Sequence, residues 1–107
     1  MNKDIQYGVT YKLADLVSFK TGGIEKHPLF LNDSMRFVLV AIDAGATMPA
    51  HSAPGNVVVS VLEGSGIIGY EDKEYDIEAG ENFSFEKDKM HYVKGKTPLK
   101  ISVLISM

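Results

Sequence analysis

The sequence predicts an all-β domain, an antiparallel sandwich or barrel with one short helical turn near its N-terminus. Short apolar runs recur along most of the 107 residues, and Gly, Asp and Asn stand at the breaks between them. The last run has the period of a strand: Leu99, Ile101, Val103, Ile105 and Met107 alternate with Lys100, Ser102, Leu104 and Ser106. Helical spacing is confined to one place, Tyr11 to Val17, where Leu13, Leu16 and Val17 fall at i, i+3 and i+4 and support two turns at most.

Taken in order, the elements follow from local chemistry. Thr21-Gly22-Gly23 breaks the chain after the helical turn, and Asn32-Asp33-Ser34 makes a turn before Met35 to Ile42, an octet apolar and β-branched enough for a well-buried strand. Asp43-Ala44-Gly45 ends that strand, and a loop is expected around His51 and Pro54-Gly55. Asn56 to Leu62 is again a strand, stopped by Glu63-Gly64-Ser65-Gly66. Ile67 to Tyr70 and Glu74 to Ile77 flank Glu71-Asp72-Lys73, a connection of hairpin length. Ala79-Gly80-Glu81 turns the chain, and Asn82 to Phe85 and Met90 to Val93 are shorter strand candidates around the polar segment Glu86 to Lys89.

Composition narrows the function classes. Residues 1–107 form one domain, large enough to bury a core without staples. Cysteine is absent, so disulfides, thiolate metal sites and thiol nucleophiles are excluded. The net charge of -3, from 11 Lys+Arg against 14 Asp+Glu, gives no footprint for nucleic acid or an anionic membrane. The first residues lack an apolar signal core, and no run reaches the roughly 18 to 20 apolar residues of a membrane span, so a cytoplasmic location is expected. Leu104 interrupts the polar side of the last strand. A sheet covered on both faces across a subunit interface has that pattern, and a homodimer is the expectation.

The candidate site is carried by His51 and His91, each at a fixed distance from turn glycines. Gly45, His51, Ala53, Val57 and Gly64 fall on G-x5-H-x-H-x3-E-x6-G, and Gly80, Glu86, Asp88, His91 and Gly95 fall without gaps on G-x5-P-x-G-x2-H-x3-N. Fifteen residues separate the two. These are the two motifs of the cupins, and with Tyr11 to Val17, the loop His51 to Asn56 and the turn Val61 to Gly64 the chain resembles the small single-domain, RmlC-like cupins over nearly its whole length.

The resemblance implies a double-stranded β-helix, the jelly-roll barrel, with both histidines in one cavity. In cupins with a full ligand set, three imidazoles and one carboxylate hold a divalent transition metal. His51 and His91 occupy two of those positions; Ala53 and Val57 bring no donor to the others. Any metal is therefore expected to be weakly held or absent, with Asn56, Glu81 or Glu86 as the candidates for a third donor. Strand alternation turns Asn56 away from the interior unless a bulge intervenes.

Plainer readings stand beside these. His51 suits a loop histidine bonded to a nearby carbonyl, and His91 a strand histidine packed among aromatic rings. Asn56 suits the turn after Pro54-Gly55 as well as a ligand contact. Most Met and aromatic residues are expected to be core, and His27, before Pro28, a surface residue. Ser52 and Ser60 lack a His-Asp arrangement, so nucleophilic catalysis has no support.

The preferred function is binding of a small organic molecule in the cavity, contacted by His51, His91 and Asn56. The alternative is an enzyme, metal-assisted or using a histidine as base: a dioxygenase or isomerase acting on a small acid or sugar. A structural module is a third reading, favoured if side chains fill the barrel.

Overall fold

The computed structural model describes residues 2–107, in which strands account for most of the chain. They are β1 (Ile24–Leu31), β2 (Met35–Ile42), β3 (Thr47–His51), β4 (Asn56–Glu63), β5 (Ser65–Tyr70), β6 (Lys73–Glu78), β7 (Asn82–Phe85), β8 (His91–Gly95) and β9 (Leu99–Ser106). One sheet has the order β1-β2-β9-β4-β7 and the other β3-β8-β5-β6. Every pairing is antiparallel, and after β2 the chain changes sheet at each connection except the β5–β6 hairpin. This is the expected jelly roll.

The two inner faces make the core. Alternation along β2, β4 and β9 sends Val40, Ile42, Val57, Val59, Leu99 and Ile101 inward, where they meet Ile68, Ile77, Phe85 and Val93. Fully burying such a side chain contributes about 1.5–3 kcal/mol, so the shared interior dominates stability. The outer face of the first sheet is covered at one end only. There the expected helix is a single 3-10 turn, Leu13–Leu16, flanked by extended Lys12 and Val17. A run this short cannot recover the cost of helix nucleation; it serves to seat Leu16 and Val17 on Leu39 and Ala41.

Two strands depart from the sequence reading. β1 was not expected, since Pro28 interrupts it; Pro28 is tolerated because β1 is an edge strand, with a register shift just beyond it. The expected loop around His51 is in fact β3, also an edge strand, and it carries Pro49 within a register shift between Met48 and His51. His27, expected at the surface, is mostly covered: its ring packs on the outer side of β1 and its Nε2 lies 2.7 Å from the Lys3 carbonyl oxygen, pinning the N-terminal arm.

Gly64 and Gly80 show why two of the motif glycines are needed. Both have φ near the left-handed region, +84° and +90°. At Gly64 the backbone also crosses close to β9, and a Cβ there would sit 2.0 Å from the Pro98 carbonyl oxygen. Asp88, where the motif has glycine, keeps a positive φ of 66°, which Asp tolerates better than most residues.

The open end of that outer face carries an apolar row. Phe30, Phe37, Leu104 and Val58 are cross-strand neighbours on β1, β2, β9 and β4. Phe30, Leu104 and Val58 are 39%, 37% and 42% exposed. Among the described residues no helix is long and apolar enough to cross a membrane.

Candidate functional site

His51 and His91 face one another across the β3–β8 pair. Their ring centroids are 4.5 Å apart at 64°, so the topology brings the two motif histidines into one place. His91 lies flat on Phe85, centroids 3.9 Å apart and planes 6° from parallel, and is only 4% exposed. His51 stands in front of it, exposed.

Both imidazoles are held by the same device. His51 Nδ1 is 2.9 Å from the Pro49 carbonyl oxygen and His91 Nδ1 is 3.1 Å from that of Lys89, each two residues back. A carbonyl only accepts, so each Nδ1 carries a proton, and a ring in that tautomer has its lone pair on Nε2. No buried side-chain nitrogen or oxygen among the described residues lacks a partner. Among the described residues His91 Nε2 makes no hydrogen bond. Burial lowers the His91 pKa below 6.5; the Lys89 carbonyl opposes this and the neighbouring His51 adds to it. At neutral pH His91 is an uncharged acceptor.

The loop between β7 and β8 is fixed to the other motif. Asn56 Oδ1 accepts the Lys87 N–H at 2.8 Å, and the Ala53 carbonyl accepts the Asp88 N–H at 3.0 Å. Asn56 therefore acts at the rim; it lies on the outer face with Val58, next to a shallow depression formed with Ser84 and Leu104. Of the three expected contacts, only His51 lines the cavity; Asn56 is on the outer face, and His91 lies behind His51 against Phe85.

That cavity is ≈ 580 Å³, widely open to solvent, and bounded by β1, β2, β3 and β9. Its apolar walls include Pro28, Val38, Val40, Met48, Val103 and Ile105, and His51 contributes an imidazole. Lys26 and Arg36 also line it. Sequence reasoning missed both, because β1 was not recognised and a lone charged residue in a strand reads as solvated.

The donor set does not fit a tightly held metal ion. Ala53 and Val57 occupy two ligand positions of the motif, both packed in the core. Asn56 is engaged with Lys87, and Glu81 Oε1 accepts the Glu78 N–H in the β6–β7 turn. Among the described residues no three His, Cys, Asp or Glu side chains converge. Two imidazoles remain, with no anion to balance an ion's charge.

A jelly roll with paired histidines opposite each other near its hollow defines the class, and the sequence agrees. Residues 38–106 match the model of the cupin domain, and the chain belongs to the cupin family. Solved structures share the fold at low identity. A cupin superfamily protein from Desulfitobacterium hafniense superposes with a TM-score of 0.92 at 18% identity, over 100% of this chain and 98% of that one. An RmlC-like cupin from Desulfovibrio desulfuricans gives 0.82 at 22%, over 94% and 97%. A conserved protein of unknown function from Streptococcus pyogenes gives 0.90 at 16%, over 98% and 92%. No curated protein matches the sequence.

Proposed function

We propose that this cupin binds a small organic molecule in the cavity beside His51, without a resident metal. The observation that carries the reading is the ≈ 580 Å³ hollow with mostly apolar walls and one imidazole, within the roughly 300–1,000 Å³ common for ligand sites. The Nε2 of His51 supplies an orienting hydrogen-bond acceptor. A fragment screen by ligand-detected NMR tests this: fragments bind the wild type, and His51→Ala weakens those that carry a hydroxyl or amide donor. Equal binding by both proteins would reduce His51 to a bystander.

A second reading has its own support. His91 is neutral at neutral pH and held at Nδ1, which leaves Nε2 as the ring's basic nitrogen, and it stands behind His51 rather than in the cavity wall. In that reading the protein is an isomerase-type enzyme removing a carbon-bound proton. His91-dependent exchange of that proton for deuterium in a bound ligand is the signature, and its persistence in His91→Gln excludes the role.

We also propose that a second copy of this chain covers the row Phe30, Phe37, Leu104 and Val58. The strand positions next to it on that face, Ser60, Asn82, Ser84, Ser102 and Ser106, are uncharged, while Glu25 and Lys100 lie toward the other end, and an uncharged patch does not repel its own copy.

A further inference from the structure

We infer that the cavity's ligand is an organic carboxylate on an apolar frame, recognised by Arg36 and Lys26. This rests on the cavity reading above and adds the ligand's charge. The chain is net negative, -3, with 14 carboxylates, yet the eleven residues lining the cavity include two cations and no Asp or Glu. The local charge is opposite to that of the molecule. A cleft lined by one sign of charge concentrates ligands of the other.

Neither cation is used by the fold. Among the described residues, neither Lys26 nor Arg36 has an ion pair or a side-chain hydrogen bond, although the four ion pairs present engage Lys89, Lys96, Lys100 and His27. Of the nearest acids in sequence, Glu25 pairs with Ala41 on the outer face, and Asp33, exposed in the β1–β2 turn, is not among the lining residues. Arg36 and Lys26 are both exposed, so they cost the fold little desolvation.

Register gives the ligand's shape. Lys26 is opposite Val40 and Arg36 opposite Leu31, so along β2 the two cations are four residues apart, roughly 14 Å at strand rise. Between them the wall is Pro28, Val38 and Val40. A carboxylate held by the Arg36 guanidinium, whose planar fork matches it, therefore has an apolar surface beside its frame. Lys26 marks the other end, where a second anionic group finds a point charge.

The test is a panel of aromatic and aliphatic carboxylates, each with its primary amide and its amine, plus inorganic phosphate, titrated by protein-detected NMR on the whole chain. Hits are assigned to the cavity by shifts at His51 and Val103. Carboxylates should bind about tenfold tighter than their amides, the advantage of a charge-assisted hydrogen bond, and amines weakest. That ratio should shrink with added salt, since the cations are exposed. In the Arg36→Gln, Lys26→Met double variant the acid preference should disappear, so that each acid and its amide bind alike. Phosphate, lacking a frame, should bind at least about tenfold more weakly than the carboxylates.

Amides or amines binding the cavity as well as the acids would overturn the charge assignment and leave the cavity reading standing. So would an acid preference that survives in the double variant. Tight phosphate binding would overturn the apolar frame. No binder at the cavity anywhere in the panel would remove both readings together.

Discussion

Replacing Gly64 and Gly80 by Ala separates the two reasons a turn needs glycine. At Gly80, φ is +90° and nothing lies within 4 Å of the position a Cβ would take. Gly80→Ala therefore bears only the left-handed backbone cost, about 1–2 kcal/mol. At Gly64, φ is +84° and the new Cβ would lie 2.0 Å from the Pro98 carbonyl oxygen and 3.1 Å from Leu99 Cα. The start of β9 must move, which adds an overpacking cost of about 1–3 kcal/mol, for a sum of about 2–5 kcal/mol. At about 4 °C per kcal/mol for a domain of this size, Tm should fall by roughly 4–8 °C for Gly80→Ala and roughly 8–20 °C for Gly64→Ala. Thermal melts followed by circular dichroism read both. Asn supplies an internal check, because it tolerates the left-handed region: Gly80→Asn should recover most of the loss and Gly64→Asn little of it. Equal losses at the two sites, or rescue by Asn at Gly64, would refute the close approach to β9.

Three further outcomes are expected. His91 has a folded pKa lowered from 6.5, so the unfolded chain binds its proton more readily. The resulting stability is present above pH 6.5 and is lost as pH falls below it; Tm measured from pH 7.5 to 5 should decline more steeply for the wild type than for His91→Gln, and parallel curves would contradict the burial of a neutral ring. Val103→Phe places a ring in space that is already open, so stability should change by about 1 kcal/mol or less while fragment binding at the cavity is lost; a large destabilisation would mean that the interior there is full. Leu104→Lys should shift the mass measured by light scattering from dimer to monomer and abolish any concentration dependence of Tm; an unchanged mass would remove the outer row as the pairing surface.

The fold was largely legible because its cues are local. β2, β4 and β9 announce themselves through β-branched runs and alternation, and the spacing of Gly45, Gly64 and Gly80 fixes where the chain turns. β1 and β3 were illegible for one physical reason: both are edge strands containing Pro, and proline in a run argues against a strand unless one knows that its edge is free. The site was legible in part. His51 and His91 were found by spacing; of their plainer readings, His91 does stack on an aromatic ring, and His51 does bond a nearby carbonyl but from the end of a strand rather than from a loop. For Asn56 the alternation argument holds: no bulge intervenes, it lies on the outer face, and what the sequence did not show is that its amide oxygen ties down Lys87. Arg36 and Lys26 required the register itself, because only pairing Leu31 with Arg36 and Lys26 with Val40 shows that two isolated cations share a wall.

The most direct measurement is methyl-detected NMR of the whole chain during titration with cavity-sized fragments, with Val and Leu methyls assigned. Saturable shifts at Val38, Val40 and Val103, with Leu16, Val17 and Leu39 on the covered outer face unmoved, are the predicted result. Saturable shifts confined to the outer cluster, or none at any methyl across the panel, would contradict a ligand-binding interior.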